Sequence, residues 1–241
     1  MSSSVKVSGN ATRVMRTSSA IWITDYENNQ ILRVDPKSGK VVSAIPFAGP
    51  DGIVKDGDSL VVASYDAGLV ARIDPTTGKV LKSVEVGGSP TAVISDETHG
   101  LWVAVYDTGE LVRINRNNFK VIDRVTVGAG PSGLTAGSNY LWVANHDDGT
   151  VAKVDGAAGK VVLTAEVGAE PTDLVSLGGD VWVTVTGEGS LVQVKASNGD
   201  VVTRTPLGGV GAGRGPAGIV YSNGALWVAM EGEQSVVRVD P

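Results

Sequence analysis

The chain has 241 residues, 42% of them hydrophobic and 19% charged, enough for one large domain or two small ones and too apolar for a disordered chain. A net charge of −6, with 20 Lys and Arg scattered singly, argues against nucleic-acid binding through a basic face. The absence of cysteine removes disulfides and thiolate chemistry, and no apolar run approaches the roughly 18 residues of a membrane helix, so no membrane insertion is expected.

In chain order, Met1-Ser2-Ser3-Ser4 leads straight into Val5-Lys6-Val7, with no apolar signal segment in front. The expectation is a cytoplasmic protein or a domain cut from a longer precursor. The chain then runs through one unit repeated six times at a period of roughly 40 residues. Its anchors are Trp22, Val61, Trp102, Trp142, Trp182 and Trp227, each inside a strand-like run such as Leu141-Trp142-Val143-Ala144. Thirteen residues after every anchor a turn begins, at Asp35, Asp74, Asn115, Asp155, Lys195 and Asp240. Eleven or twelve residues before it stands a proline (Pro50, Pro90, Pro131, Pro171, Pro216), with Ala11 in the first copy.

Each unit reads as four short strands, A to D. Asp74-Pro75-Thr76-Thr77-Gly78 shows the C–D turn chemistry, Pro presetting φ and Gly supplying a positive φ. Sheets this small cannot each bury a face alone and must stack as blades. The sixth copy ends after strand C, and Ser4 to Gly9 matches a strand D such as Ser83 to Gly88. The expected fold is all-β: a single six-bladed β-propeller of four-stranded antiparallel blades over residues 1–241, with the N-terminal strand completing the last blade. Closure leaves no free sheet edge, so a monomer is expected.

The run Leu141-Trp142-Val143-Ala144-Asn145 after Gly137, with Asp74-Pro75-Thr76-Thr77-Gly78-Lys79-Val80 as the turn element, resembles YVTN-type propeller repeats, including those of virginiamycin B (streptogramin) lyase-like proteins. It is also similar to NHL-type propellers that form sensor domains of bacterial Ser/Thr kinases. The resemblance implies a bacterial and extracytoplasmic setting, and a binding face made by the D–A and B–C loops at one mouth of the central channel. In the lyases it implies histidines on neighbouring blades, an acidic residue beside the catalytic one, and a bound Mg²⁺. This chain departs from that pattern, with Thr186 where a second histidine would follow His146, and six repeats against the lyases' seven.

Four residues after each anchor, at the B–C turn, stand Tyr26, Tyr65, Tyr106, His146, Thr186 and Glu231. Four consecutive polar-tipped rings can stack on and hydrogen-bond a ligand, although Tyr is also an ordinary hairpin residue. The same loops are rich in carboxylates, so a negative face favouring cationic partners is expected, with Ca²⁺ or Mg²⁺ as a candidate and solvated acidic turns as the plainer reading. On strand A, the position two after the repeat proline is Gly or Ala in four copies, as a crowded axis needs. Arg13 and Asp173 break that rule: they are candidates to pair across the channel as a charged plug or ligand anchor, with a structural ion pair or a chain-end irregularity as the plainer reading. The extension Gly208 to Gly215 brings Arg214 to the D–A loop of the last copy, where it suits a carboxylate or phosphate. The tryptophans are read as core. Of the two histidines, His99 falls in an A–B turn, which leaves His146, beside Asp147, as the single candidate general base.

Three readings stand: a non-catalytic binding or sensor module for a small ligand, glycan or peptide; a metal-assisted lyase using His146; and a structural or engineered scaffold. The first is preferred because no full catalytic set is present. No cofactor is expected beyond the candidate cation.

Overall fold

The computed structural model describes residues 11–96, 100–137, 140–210, 214–233 and 235–241. The expected N-terminal closing strand, the turn that holds His99 and part of the last D–A extension lie outside these residues.

Six antiparallel sheets follow one another along the chain and form the blades of a six-bladed β-propeller. Blade one is Ala11–Arg16, Ile21–Asp25, Gln30–Val34 and Val41–Pro46. Blade two is Pro50–Asp56, Ser59–Ser64, Leu69–Ile73 and Val80–Glu85; blade three is Pro90–Asp96, Gly100–Val105, Glu110–Ile114 and Val121–Thr126. Blade four is Pro131–Ala136, Leu141–Asn145, Thr150–Asp155 and Lys160–Glu166, and blade five is Pro171–Leu177, Asp180–Val185, Ser190–Lys195 and Val201–Pro206. Blade six has three strands among the described residues, Gly215–Ser222, Ala225–Glu231 and Ser235–Val239. The chain divides into two compact units, 1–105 with 112–122, and 106–111 with 123–241.

The constant spacing has a local cause. In the C–D turn, Asp74 Oδ1 accepts the Thr76 and Thr77 amides, while its carbonyl accepts the Gly78 amide. Asp35, Asn115 and Asp155 build the same turn. The side chain takes the place of missing ladder partners, and in blade five the backbone bonds alone close a turn of the same length at Lys195. In blade three the glycine position is held by Phe119, at φ +59 and buried beneath the Arg72 guanidinium.

Packing between successive blades also follows the repeat. In the first unit Trp22 lies with Ile53, Leu60 and Val62 of blade two; in the second, Trp142 packs with Leu174, Val181 and Val183, and Trp182 with Leu226, Val228 and Met230. Core placement fails for Trp227, which is 37% exposed and donates its indole N–H to the Ser222 carbonyl. Within its unit no later blade follows to cover it.

A β-bulge after the repeat proline, for example between Pro131 and Gly133, re-aims the next side chain. Thr12 and Ser132 sit there and bond the Pro50 and Pro171 carbonyls of the following blades. Gly133 itself has no room for a side chain: a Cβ would stand 2.7 Å from the Thr172 carbonyl oxygen.

Candidate functional site

Within each unit, a B–C turn is bonded to the D–A loop that leads into its own blade, as backbone hydrogen bonds show. His146 N–H donates to the Gly130 carbonyl, Thr186 N–H to Glu170, and Tyr65 N–H to Gly49. These three bonds are equivalent by position, so Tyr65, His146 and Thr186 occupy one column of the repeat.

Two ring side chains of that column, Tyr26 and Tyr106, are tied to carboxylates of the next blade. In the first unit, the Tyr26 hydroxyl donates to Asp66 at 2.8 Å, and the Tyr26 and Tyr65 rings meet edge to face at 6.1 Å. That hydrogen bond raises the Tyr26 pKa. In the second unit, the Tyr106 hydroxyl donates to Asp147 Oδ1 at 2.6 Å and lies 3.2 Å from His146 Nδ1, which is itself 2.9 Å from the same carboxylate oxygen. The bonds from Tyr106 and then His146 hold Asp147 below the usual carboxylate range. In the neutral tautomer whose Nδ1 donates to Asp147, the imidazole lone pair is on Nε2.

Beside this trio lies a cleft of about 540 Å³ between blades four and five. It is lined by His146 and four carboxylates, Asp147, Asp148, Glu166 and Glu170, and by no Lys or Arg among the described residues. Asp148 accepts the Ala129 amide at 2.6 Å and so pins the preceding D–A loop. Glu166 and Glu170 are exposed.

Glu170 is the unusual member. Its φ is +58, in the left-handed region that disfavours side chains. Blades two and four put glycine at this position, Gly49 at φ +50 and Gly130 at φ +66. A Cβ on Gly49 would stand 2.7 Å from Asp66 Oδ2, and one on Gly130 2.7 Å from Asp147 Cγ. Blade five reverses both positions: Gly187 replaces the aspartate, and the room it leaves admits Glu170. The carboxylate has moved from the B–C turn to the D–A loop. Sequence reading passed over Glu170 as one acidic loop residue among many.

The other expected site residues are not among those that line this cleft. Arg13 Nε is 3.7 Å from Asp51, whose burial pushes its pKa up to about 6 against the opposing pull of Arg13 and Thr12. The Asp173 carboxylate accepts the Leu174 and Ile219 amides. Arg214 is exposed where blade six begins, and Glu231 is exposed at the end of its second strand. Among the described residues no three His, Asp or Glu side chains come together to hold a metal. Where a second histidine would stand, Thr186 Oγ1 is bonded to Thr172 and to the Pro216 carbonyl. The residues present therefore do not fit the Mg²⁺ that lyase-like propellers imply.

The fold is shared with solved structures of low identity. Hydrazine synthase of Kuenenia stuttgartiensis is 18% identical and superposes with a TM-score of 0.84 over 95% of this chain and 76% of its own. A streptogramin B lyase is 18% identical, with a TM-score of 0.78 over 90% and 75%. No curated protein matches the chain. The family model for virginiamycin B lyases matches residues 4–239, and on that match the chain belongs to the virginiamycin B lyase family.

Proposed function

We propose that this propeller is a binding module that takes a cationic ligand, an amine or a basic peptide segment, in the carboxylate-lined cleft of blades four and five. The observation that carries the reading is Glu170. A side chain at φ +58 costs about 1–3 kcal/mol of local strain. Its carboxylate has no hydrogen bond or ion pair among the described residues that would offset that cost. A charged group kept under strain and facing solvent, in a cleft of one sign, fits recognition of the opposite charge.

Thermal denaturation at low ionic strength tests it, with spermidine and a lysine tripeptide as probes and a neutral chito-oligosaccharide as control. A ligand at about 100 times its Kd stabilises the native state by roughly 2.7 kcal/mol. The cations are expected to raise the melting temperature in the wild type and not in Glu170→Ala, and salt is expected to erase the shift. Equal shifts in both proteins, or none in either, would overturn the proposal.

A second reading rests on the Asp147–His146 pair, which orients one imidazole as a general base orients. It requires turnover of a streptogramin B substrate that His146→Ala abolishes. Absence of turnover by the wild type, with and without Mg²⁺, removes it.

A further inference from the structure

On the face that carries the A–B and C–D turns, blades one and two enclose a cleft of about 320 Å³. Its wall is Trp22 and Arg33, its rim includes Lys55 and Asp58, and hydroxyls of Thr17 and Ser59 line it.

Arg33 belongs to a column on strand C that faces the anchor of strand B. The register pairs Trp22 with Arg33, Val61 with Arg72, Trp142 with Lys153, Trp182 with Gln193 and Trp227 with Arg238. Each later partner in these pairs has a polar acceptor. Arg72 is bonded to Asp56, Lys153 donates to the Ala196 carbonyl at 2.6 Å, Gln193 to Asp180 at 2.7 Å, and Arg238 reaches Asp240 at 2.6 Å. Arg33 is half-buried with its guanidinium 5.7 Å from the Trp22 ring centroid, and makes no hydrogen bond or ion pair among the described residues.

Blade two, the neighbouring copy with an arginine in this column, holds its acceptor sixteen residues upstream. Asp56, the acceptor for Arg72, ends strand A of blade two; the equivalent position in blade one is Thr17. Asp56 is buried and serves Arg72, Arg116 and the Ser95 hydroxyl together. Blade one keeps the arginine, backs it with Trp22 where blade two has Val61, and has a small hydroxyl in place of the carboxylate, while Lys55 of blade two brings a second cation to the rim. A stacked guanidinium beside a space of this size is suited to a planar or tetrahedral oxyanion held by two parallel N–H bonds.

We infer that this cleft is an anion site, in which the carboxylate or phosphate group of a small ligand occupies the place that Asp56 fills in the next blade. Lys55 adds charge, and Asp58 at the rim accepts a hydroxyl of the ligand body.

The test is NMR titration of the ¹⁵N-labelled chain at low ionic strength, following the Trp22 indole and the Thr17 and Ser59 amides. The probes are inorganic phosphate, glycerol 3-phosphate and glucuronate, with chloride at matched ionic strength as control. Saturable shifts confined to the cleft are expected with a phosphate probe, the carboxylate probe or both, and which responds identifies the source. Arg33→Gln is expected to weaken binding about tenfold or more, as loss of one charge-assisted contact does. Thr17→Asp supplies the internal carboxylate and is expected to abolish binding without lowering the melting temperature. Lys160→Gln, which is not among the residues lining the cleft, is expected to change nothing. Binding that survives Thr17→Asp, or no saturation by any probe up to about 50 mM, weaker than any Kd of interest, would overturn the inference.

Discussion

Replacing Glu170 by glycine is expected to stabilise the protein while it removes ligand binding. The left-handed backbone costs a residue with a Cβ about 1–2 kcal/mol. Glycine avoids that cost and loses about 0.5–1 kcal/mol of additional chain entropy on folding. The gain left over is about 0.5–1 kcal/mol. For a chain of this length 1 kcal/mol moves the melting temperature by about 2–4 °C, so a rise of about 1–4 °C is expected. No lost contact offsets it, because the Glu170 side chain is exposed. Glu170→Ala separates the two effects: it removes the carboxylate and keeps the strain. Chemical denaturation of the wild type and both variants, fitted with a common slope, reads the difference. Glu170→Gly should be the most stable of the three, and both variants should lose the cation-induced shift. If Glu170→Gly proves no more stable than Glu170→Ala, the backbone at this position is not strained in solution, and the case for selection of the carboxylate falls with it.

Phe119 has the same left-handed backbone and the opposite expectation. It is 3% exposed under Arg72, so Phe119→Gly relieves about 1 kcal/mol of strain and forfeits about 3–5 kcal/mol of burial, a net loss of about 2–4 kcal/mol by urea denaturation. Asp51 should make stability fall as pH rises. Its folded pKa lies near 6, above the unfolded value of 3.8, so the native state holds the extra proton between those values and its advantage is gone above pH 6. The rise corresponds to roughly 3 kcal/mol, and Asp51→Asn should be the more stable protein at pH 8 by about 1–3 kcal/mol; parallel stability curves from pH 4 to 8 would contradict this. Asp56 should act in the other direction. Burial opposes its charge, but the Ser95 bond and then Arg116 and Arg72 outweigh it and lower its pKa. The stability it contributes is therefore full above about pH 4 and is lost as pH falls through the depressed folded value. Asp56→Asn strands two arginines against one buried amide, and a loss of about 3–5 kcal/mol at pH 7 is expected; a loss below 1 kcal/mol would show the cluster to be well hydrated.

Much of the fold was legible because its repeat is enforced by local chemistry. The offset of thirteen residues from anchor to turn is constant because strands B and C pair in the same register in every copy where the pairing is described, and the C–D turn that follows closes by the same backbone bonds whether it begins with Asp, Asn or Lys195. Trp22, Trp142 and Trp182 were correctly read as core for the same reason, each being followed by a blade in its unit. Trp227 was not, because burial of an anchor depends on what comes next in space, which the anchor's own motif does not encode. The aromatic column was legible as residues and illegible as chemistry: Tyr26 and Tyr106 looked like free ligand platforms, whereas each hydroxyl reaches a carboxylate about 40 positions along, at Asp66 and Asp147.

The two clefts were visible in the sequence only as exchanges between columns. Gly49 and Asp66 are seventeen residues apart, as are Gly130 and Asp147; at the same separation blade five has Glu170 and Gly187. Asp56 and Arg72 are sixteen apart, and at that separation blade one has Thr17 and Arg33. Read singly, each of these positions is an unremarkable loop or strand-end residue, and a survey of one column at a time discards it as surface variation. Read in pairs, each marks an exchange between neighbouring copies. Blade five carries a carboxylate at a strained position that faces solvent, where blades two and four have glycine, and blade one carries a hydroxyl where blade two has the carboxylate that pairs its arginine. The departures fall at opposite ends of their blades, one on B–C and D–A loops and one on A–B and C–D turns, and they carry opposite charge. The ligand classes proposed for them, one cationic and one anionic, are therefore tested by separate variants and separate probes.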